Sequence, residues 1–115
     1  PERISIYSGD DGLVLPFMSV GAVGIISVLS NIGGQELNAV MDAFEAGDVK
    51  KAAELNKIMV PLAQAMFVES NPIPIKAAVS LVTPFEAGAP RLPLVPISEA
   101  GKEKLVAALK AAGRM

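Results

Sequence analysis

Apolar and polar positions alternate along Ile4-Ser5-Ile6-Tyr7-Ser8, and this β-rich run meets Gly9-Asp10-Asp11-Gly12. The pattern predicts a short strand ending in a tight loop. Residues 11–20 predict a helix capped by Asp11 and stopped by Gly21, with Pro16 tolerable only near its first turn. Residues 24–28 (Gly-Ile-Ile-Ser-Val) form a continuous apolar run, as a strand buried on both faces of a parallel sheet does. Beyond them the period lengthens. Leu37, Val40, Met41 and Phe44 recur at helical spacing in 34–46, with Gly47 as the stop. Asp48 can cap the next helix, whose stripe is Leu55, Met59, Leu62 and Met66, and Pro61 should kink or split it. Asn71-Pro72-Ile73-Pro74 reads as a rigid turn into a helix from about Ile75 to Leu81. Residues 83–96, rich in proline, form an irregular connector. Ser98 caps a last helix with Leu105, Leu109 and Ala112 inward and Gly113 at its end.

The order is therefore strand, helix, strand, helix and three more helices. Two successive βα units imply a parallel crossover, but two strands buried on both faces make no stable sheet alone. The pattern asks for neighbouring strands.

Composition narrows the chemistry. The chain has no cysteine and no histidine, which excludes disulfides, thiolate zinc sites and Cys or His nucleophile–base systems. A net charge of −2 with only 19% charged residues argues against a nucleic-acid partner, which would select a basic patch. The adjacent pair Lys50-Lys51 is explained by a solvated helix face. Residues 12–35 carry no charge and could span a bilayer by length. Pro16, Gly21, Gly24, Gly33 and Gly34 interrupt them, so a buried helix and strand are expected, and no membrane partner. The opening residues show no charged segment followed by a short apolar core, so no signal peptide is expected, and a cytoplasmic location is expected. Neither a dinucleotide fingerprint nor a phosphate loop is present.

Four segments carry a resemblance: Ser8-Gly9-Asp10-Asp11, Gly24-Ile25-Ile26-Ser27-Val28, Asn71-Pro72-Ile73-Pro74-Ile75-Lys76 and Arg91-Leu92-Pro93-Leu94-Val95-Pro96. In order and spacing they resemble dihydrodipicolinate synthase, over essentially the whole chain. The resemblance implies an α/β fold that is mostly helical in this chain: the last two βα units of a (β/α)8 TIM barrel, in residues 1–33, and the last barrel helix with a three-helix C-terminal extension, in 34–115. A whole barrel takes about 250 residues, so more than half would lie elsewhere. The family is a pyruvate-dependent lyase of lysine and diaminopimelate biosynthesis. It condenses pyruvate, held as a Schiff base on a lysine, with aspartate semialdehyde, using no metal or organic cofactor. Its members are commonly homotetramers. The lysine, the tyrosine relay and the carboxylate-binding arginine lie on earlier parts of such a barrel, and no residue here matches them, so the chain alone is expected to be inactive.

What the resemblance carries over is substrate-side. Gly9, Asp10 and Asp11 would lie just after the seventh strand, on the face where barrel active sites gather, near the aldehyde. A turn and an N-cap explain Asp10-Asp11-Gly12 without chemistry, and the resemblance makes the loop site-adjacent with Asp11 a cap. The Ile26 backbone carbonyl resembles the position that contacts the catalytic amine. Tyr7 is expected in the core. Lys76, which as an amine nucleophile would need desolvation or a cationic neighbour, reads as structural, and Arg91 as a connector anchor. A rival reading is a non-catalytic helical interaction or assembly domain derived from the same family.

Overall fold

The structure, a computed structural model, describes residues 4–115. Strand β1 (Tyr7–Ser8) leads through a single 3-10 turn (Asp11–Leu13) into α1 (Val14–Ser19), and then come β2 (Gly24–Ile25), α2 (Ser30–Glu45), α3 (Val49–Ala65), α4 (Ile73–Val82) and α5 (Glu99–Ala111). The order is the one the hydrophobic pattern predicts. The strands pair in parallel, Tyr7 opposite Gly24 and Ser8 opposite Ile25.

Both strands are shorter than their apolar runs. Pairing ends where side chains take over the backbone: the Asp10 N–H donates to Ser8 Oγ at 3.2 Å instead of continuing a ladder. Alternation places Ser8 inside, fully buried, and Tyr7 outside at 50% exposure. The expectation of a core tyrosine is thus corrected. A strand's period of two puts neighbours on opposite faces, and the Tyr7 ring lies over Gly24, where an added Cβ would stand 3.4 Å from it.

Three helices stop as the glycines predict. At the ends of α1, α2 and α5, Gly21, Gly47 and Gly113 take positive φ (105°, 80° and 68°). Each end closes with the same pair of bonds: Gly47 N–H to Phe44 O at 2.9 Å with Asp48 N–H to Ala43 O at 2.9 Å, and their counterparts at Gly21–Ala22 and Gly113–Arg114. This is the Schellman arrangement, which satisfies carbonyls the helix leaves open.

Helix starts depart further from expectation. Asp10, not Asp11, caps the first turn, accepting from the Gly12 N–H at 2.8 Å. Pro16 then falls in the first turn of α1, where its missing N–H has no partner to lose. Helix α2 begins at Ser30 and bends at Gly33 (φ −141°, ψ 30°), so only its longer part matches 34–46. Pro61 neither ends nor splits α3, which continues to Ala65; a proline removes one intrahelical bond, and Met59, Leu62 and Met66 along the same stripe are buried. Helix α4 starts at Ile73, ahead of the predicted Ile75, because Pro74 sits in its first turn, where proline is favoured. Asp48 and Ser98 cap α3 and α5 as expected, accepting from the Lys51 N–H at 3.1 Å and the Gly101 N–H at 3.0 Å.

Two compact units divide the chain, the first ending at Val60 and the second beginning at Pro61. In the first, α1 packs on α2 and on both strands; in the second, α4 packs on α5. Among the described residues no helix is long and apolar enough to cross a membrane.

Candidate functional site

The parallel pair brings two loops to one edge. The Val23 N–H donates to Ile6 O at 2.8 Å and the Ile26 N–H to Ser8 O at 2.9 Å. The second is the last rung, so the Ile26 carbonyl is the first backbone group beyond the pairing, beside Gly9 and Asp10. All three residues are exposed. A Cβ at Gly9 would meet nothing within 4 Å, so the space above this loop is open.

Beneath that edge the loop is held by side chains. Ser8 Oγ–H donates to Asp10 O at 2.8 Å. Asp11 turns the opposite way from its neighbour and is only 3% exposed. Its Oδ1 accepts from the Ser27 hydroxyl, and its Oδ2 accepts from the Val28 and Leu29 N–H groups at 3.1 Å each. Ser27 Oγ in turn accepts from the Ser30 N–H at 2.7 Å. A carboxylate removed from water is costly unless charge-assisted hydrogen bonds replace its hydration. Here three donors do so, at the start of α2, where the helix dipole also favours negative charge. Asp11 is therefore a cap, but of α2 rather than of the helix next to it in sequence.

Of the residues singled out in the sequence, Gly9, Asp10 and Ile26 come together on the exposed edge, with the Asp11 carboxylate directly below. Ser27 had no assigned role, although a serine three residues before Ser30 is a local capping signal. Lys76 lies in the second unit and donates from Nζ to Ala87 O at 2.6 Å, while Ser80 Oγ accepts from the Ala87 N–H at 3.0 Å. Together they clamp both polar groups of one connector residue. Among the described residues no group of three or more acidic side chains could hold a metal ion.

The model of the dihydrodipicolinate synthetase family matches residues 1–112, and the chain belongs to that family. Among curated relatives, the 4-hydroxy-tetrahydrodipicolinate synthase of Maridesulfovibrio salexigens is 50% identical over 113 residues, covering 98% of this chain and 38% of the relative. That of Moorella thermoacetica is 47% identical over the same shares. The dihydrodipicolinate synthase structure from Thermotoga maritima superposes with a TM-score of 0.93 at 36% identity, over 99% of this chain and 38% of that one. The Acinetobacter baumannii enzyme, solved in complex with pyruvate, gives 0.90 at 39%, over 97% and 38%. The chain thus spans well under half the length of the relatives it matches.

Proposed function

We propose that this chain is the C-terminal portion of a pyruvate-dependent lyase that condenses pyruvate with aspartate semialdehyde on the route to lysine and diaminopimelate. In this reading β1 and β2 are the last two strands of a (β/α)8 barrel, residues 1–33 close the barrel, and residues 34–115 supply its last helix and a helical extension. A lysine elsewhere in the barrel attacks the pyruvate ketone and water leaves, giving a Schiff base. A base takes a methyl proton to give the enamine, whose carbon bonds to the aldehyde carbon while the aldehyde oxygen, its π bond broken, takes up a proton. No metal or organic cofactor takes part. Gly9, Asp10 and Asp11 form the loop beside the aldehyde, and the Ile26 carbonyl accepts a hydrogen bond from the lysine's amino group. A cytoplasmic homo-oligomer completes the proposal.

The observation that supports this most is the parallel register, which brings Gly9, Asp10 and Ile26 to one sheet edge. In open and closed α/β sheets ligands gather at the carboxyl ends of the strands. The pyruvate complex of the Acinetobacter baumannii relative supports pyruvate as the substrate class.

The test is borohydride trapping. Incubated alone with pyruvate and borohydride, the chain should gain no mass, and with the remaining barrel supplied it should join a complex that traps pyruvate on the other segment. A stoichiometric adduct on Lys76 of the isolated chain would overturn the assignment. The assembly-domain reading draws support from the exposed Ile4, Val20 and Val23, and trapping failure in a reassembled complex would favour it.

A further inference from the structure

We infer that Asp11 is a positioning residue, a buried tie that fixes the Ile26 carbonyl relative to the Gly9–Asp10 loop. The inference rests on the proposed Schiff-base chemistry.

The start of α2 already has a local cap, because Ser27 Oγ accepts from the Ser30 N–H at 2.7 Å. Capping alone therefore does not call for a carboxylate from a different loop. What Asp11 adds is a connection. Its oxygens reach the Ser27 hydroxyl and the Val28 and Leu29 N–H groups, 16 to 18 residues away in sequence. The Ile26 peptide is held on both sides: its N–H by Ser8 O at 2.9 Å, and the next residue by Asp11. Its carbonyl lies between these two anchors. Ser8 matches the arrangement on the other loop, where its hydroxyl binds the Asp10 backbone at both N–H and C=O. Two buried side chains, Ser8 and Asp11, thus hold the exposed edge from beneath.

Because Asp11 is only 3% exposed, water cannot take over a lost bond cheaply. The tie is stiff, and a carbonyl that orients an amine needs that stiffness: displacements of about 1 Å at a reacting group can cost about 100-fold in rate.

The experiment uses a full-length enzyme in which residues 4–115 replace the matching portion of the Maridesulfovibrio salexigens relative. Asp11→Asn keeps the shape but turns an N–H2 toward donors. Its kcat, and the single-turnover rate of borohydride-trapped pyruvate adduct, should fall at least about tenfold with little change in KM, the pattern of an interaction used in the reaction rather than in ground-state binding. Asp48→Ala, which removes the α3 cap, serves as a destabilised control with unchanged kcat. Ser27→Ala should lower kcat a few-fold, and the double variant should lose less than the product of the singles. If Asp11→Asn fails to fold, Ser27→Ala decides: a folded Ser27→Ala enzyme with the kcat of the unsubstituted protein overturns the inference. So does an Asp11→Asn enzyme that loses stability and keeps its kcat. If the unsubstituted enzyme traps no pyruvate, the Schiff-base reading itself falls, and the inference with it.

Discussion

The two compact units are held together differently. In the second, from Pro61 on, the ties are helix caps and connector clamps around an apolar interior, while Phe85 at 68% and Leu92 at 86% exposure stand outside on the connector. Leu105 and Leu109 are fully buried, Glu69 accepts from the Ser98 hydroxyl at the start of α5, and Gly101 passes so close that an added Cβ would collide with the Glu69 carboxylate. In the first, up to Val60, one buried carboxylate, Asp11, ties two loops 16 to 18 residues apart beneath a sheet edge, and Ile4 at 78%, Ile26 at 72% and Val20 at 83% exposure stand outside beside the strands. A two-stranded sheet with apolar residues on its surface is a part that expects neighbours. The second unit's exposed Phe85, Leu92 and Val95 lie on a connector, whereas the first unit's Ile4, Val20 and Ile26 lie beside two paired strands, and open strand edges favour association.

The largest effect should come from emptying the second unit's interior. Leu109→Ala is expected to cost about 2–5 kcal/mol, read as a lower midpoint in denaturant and faster amide exchange in α4 and α5. A loss below about 1 kcal/mol would mean that this unit's interior is not well packed. Next, Asp11→Ala should cost roughly 2–3 kcal/mol, because it leaves buried donors unpaired, with exchange rising at Val28 and Leu29. Unchanged protection there would mean that Asp11 does not hold the start of α2. Gly101→Ala should cost about 1–3 kcal/mol by pushing Glu69 off Ser98, and a neutral result would show that Glu69 moves aside freely.

The exposed face gives a smaller, qualitative prediction. The isolated chain should self-associate and bind a hydrophobic dye, and Val20→Lys with Val23→Lys should reduce both. A monodisperse, dye-silent monomer at high concentration would break the comparison at its root. The smallest effect is Asp48→Ala, about 1 kcal/mol from a lost helix cap, visible as fraying at the start of α3.

Local signals were readable in the sequence by itself because their physics is local. Gly21, Gly47 and Gly113 end helices since each must take a positive φ, and no partner elsewhere changes that. Asp48 and Ser98 cap the helices directly after them because their oxygens reach an N–H three residues on. The stripe Leu55, Met59, Leu62 and Met66 follows helical periodicity, all but the half-buried Leu55 being buried, and the order of strands and helices comes from the switch of period. Tertiary structure decided the rest. Asp11 has a helix directly after it, and the sequence assigned it there; only strand register shows that α2 takes its carboxylate and that Asp10 caps the nearer turn. Tyr7 is apolar enough for a core, yet pairing at Ser8–Ile25 turns it outward. The edge shared by Gly9, Asp10 and Ile26 likewise exists only once two strands distant in sequence lie side by side. A hydrogen bond across that distance depends on where the backbone returns, which no run of neighbouring residues encodes.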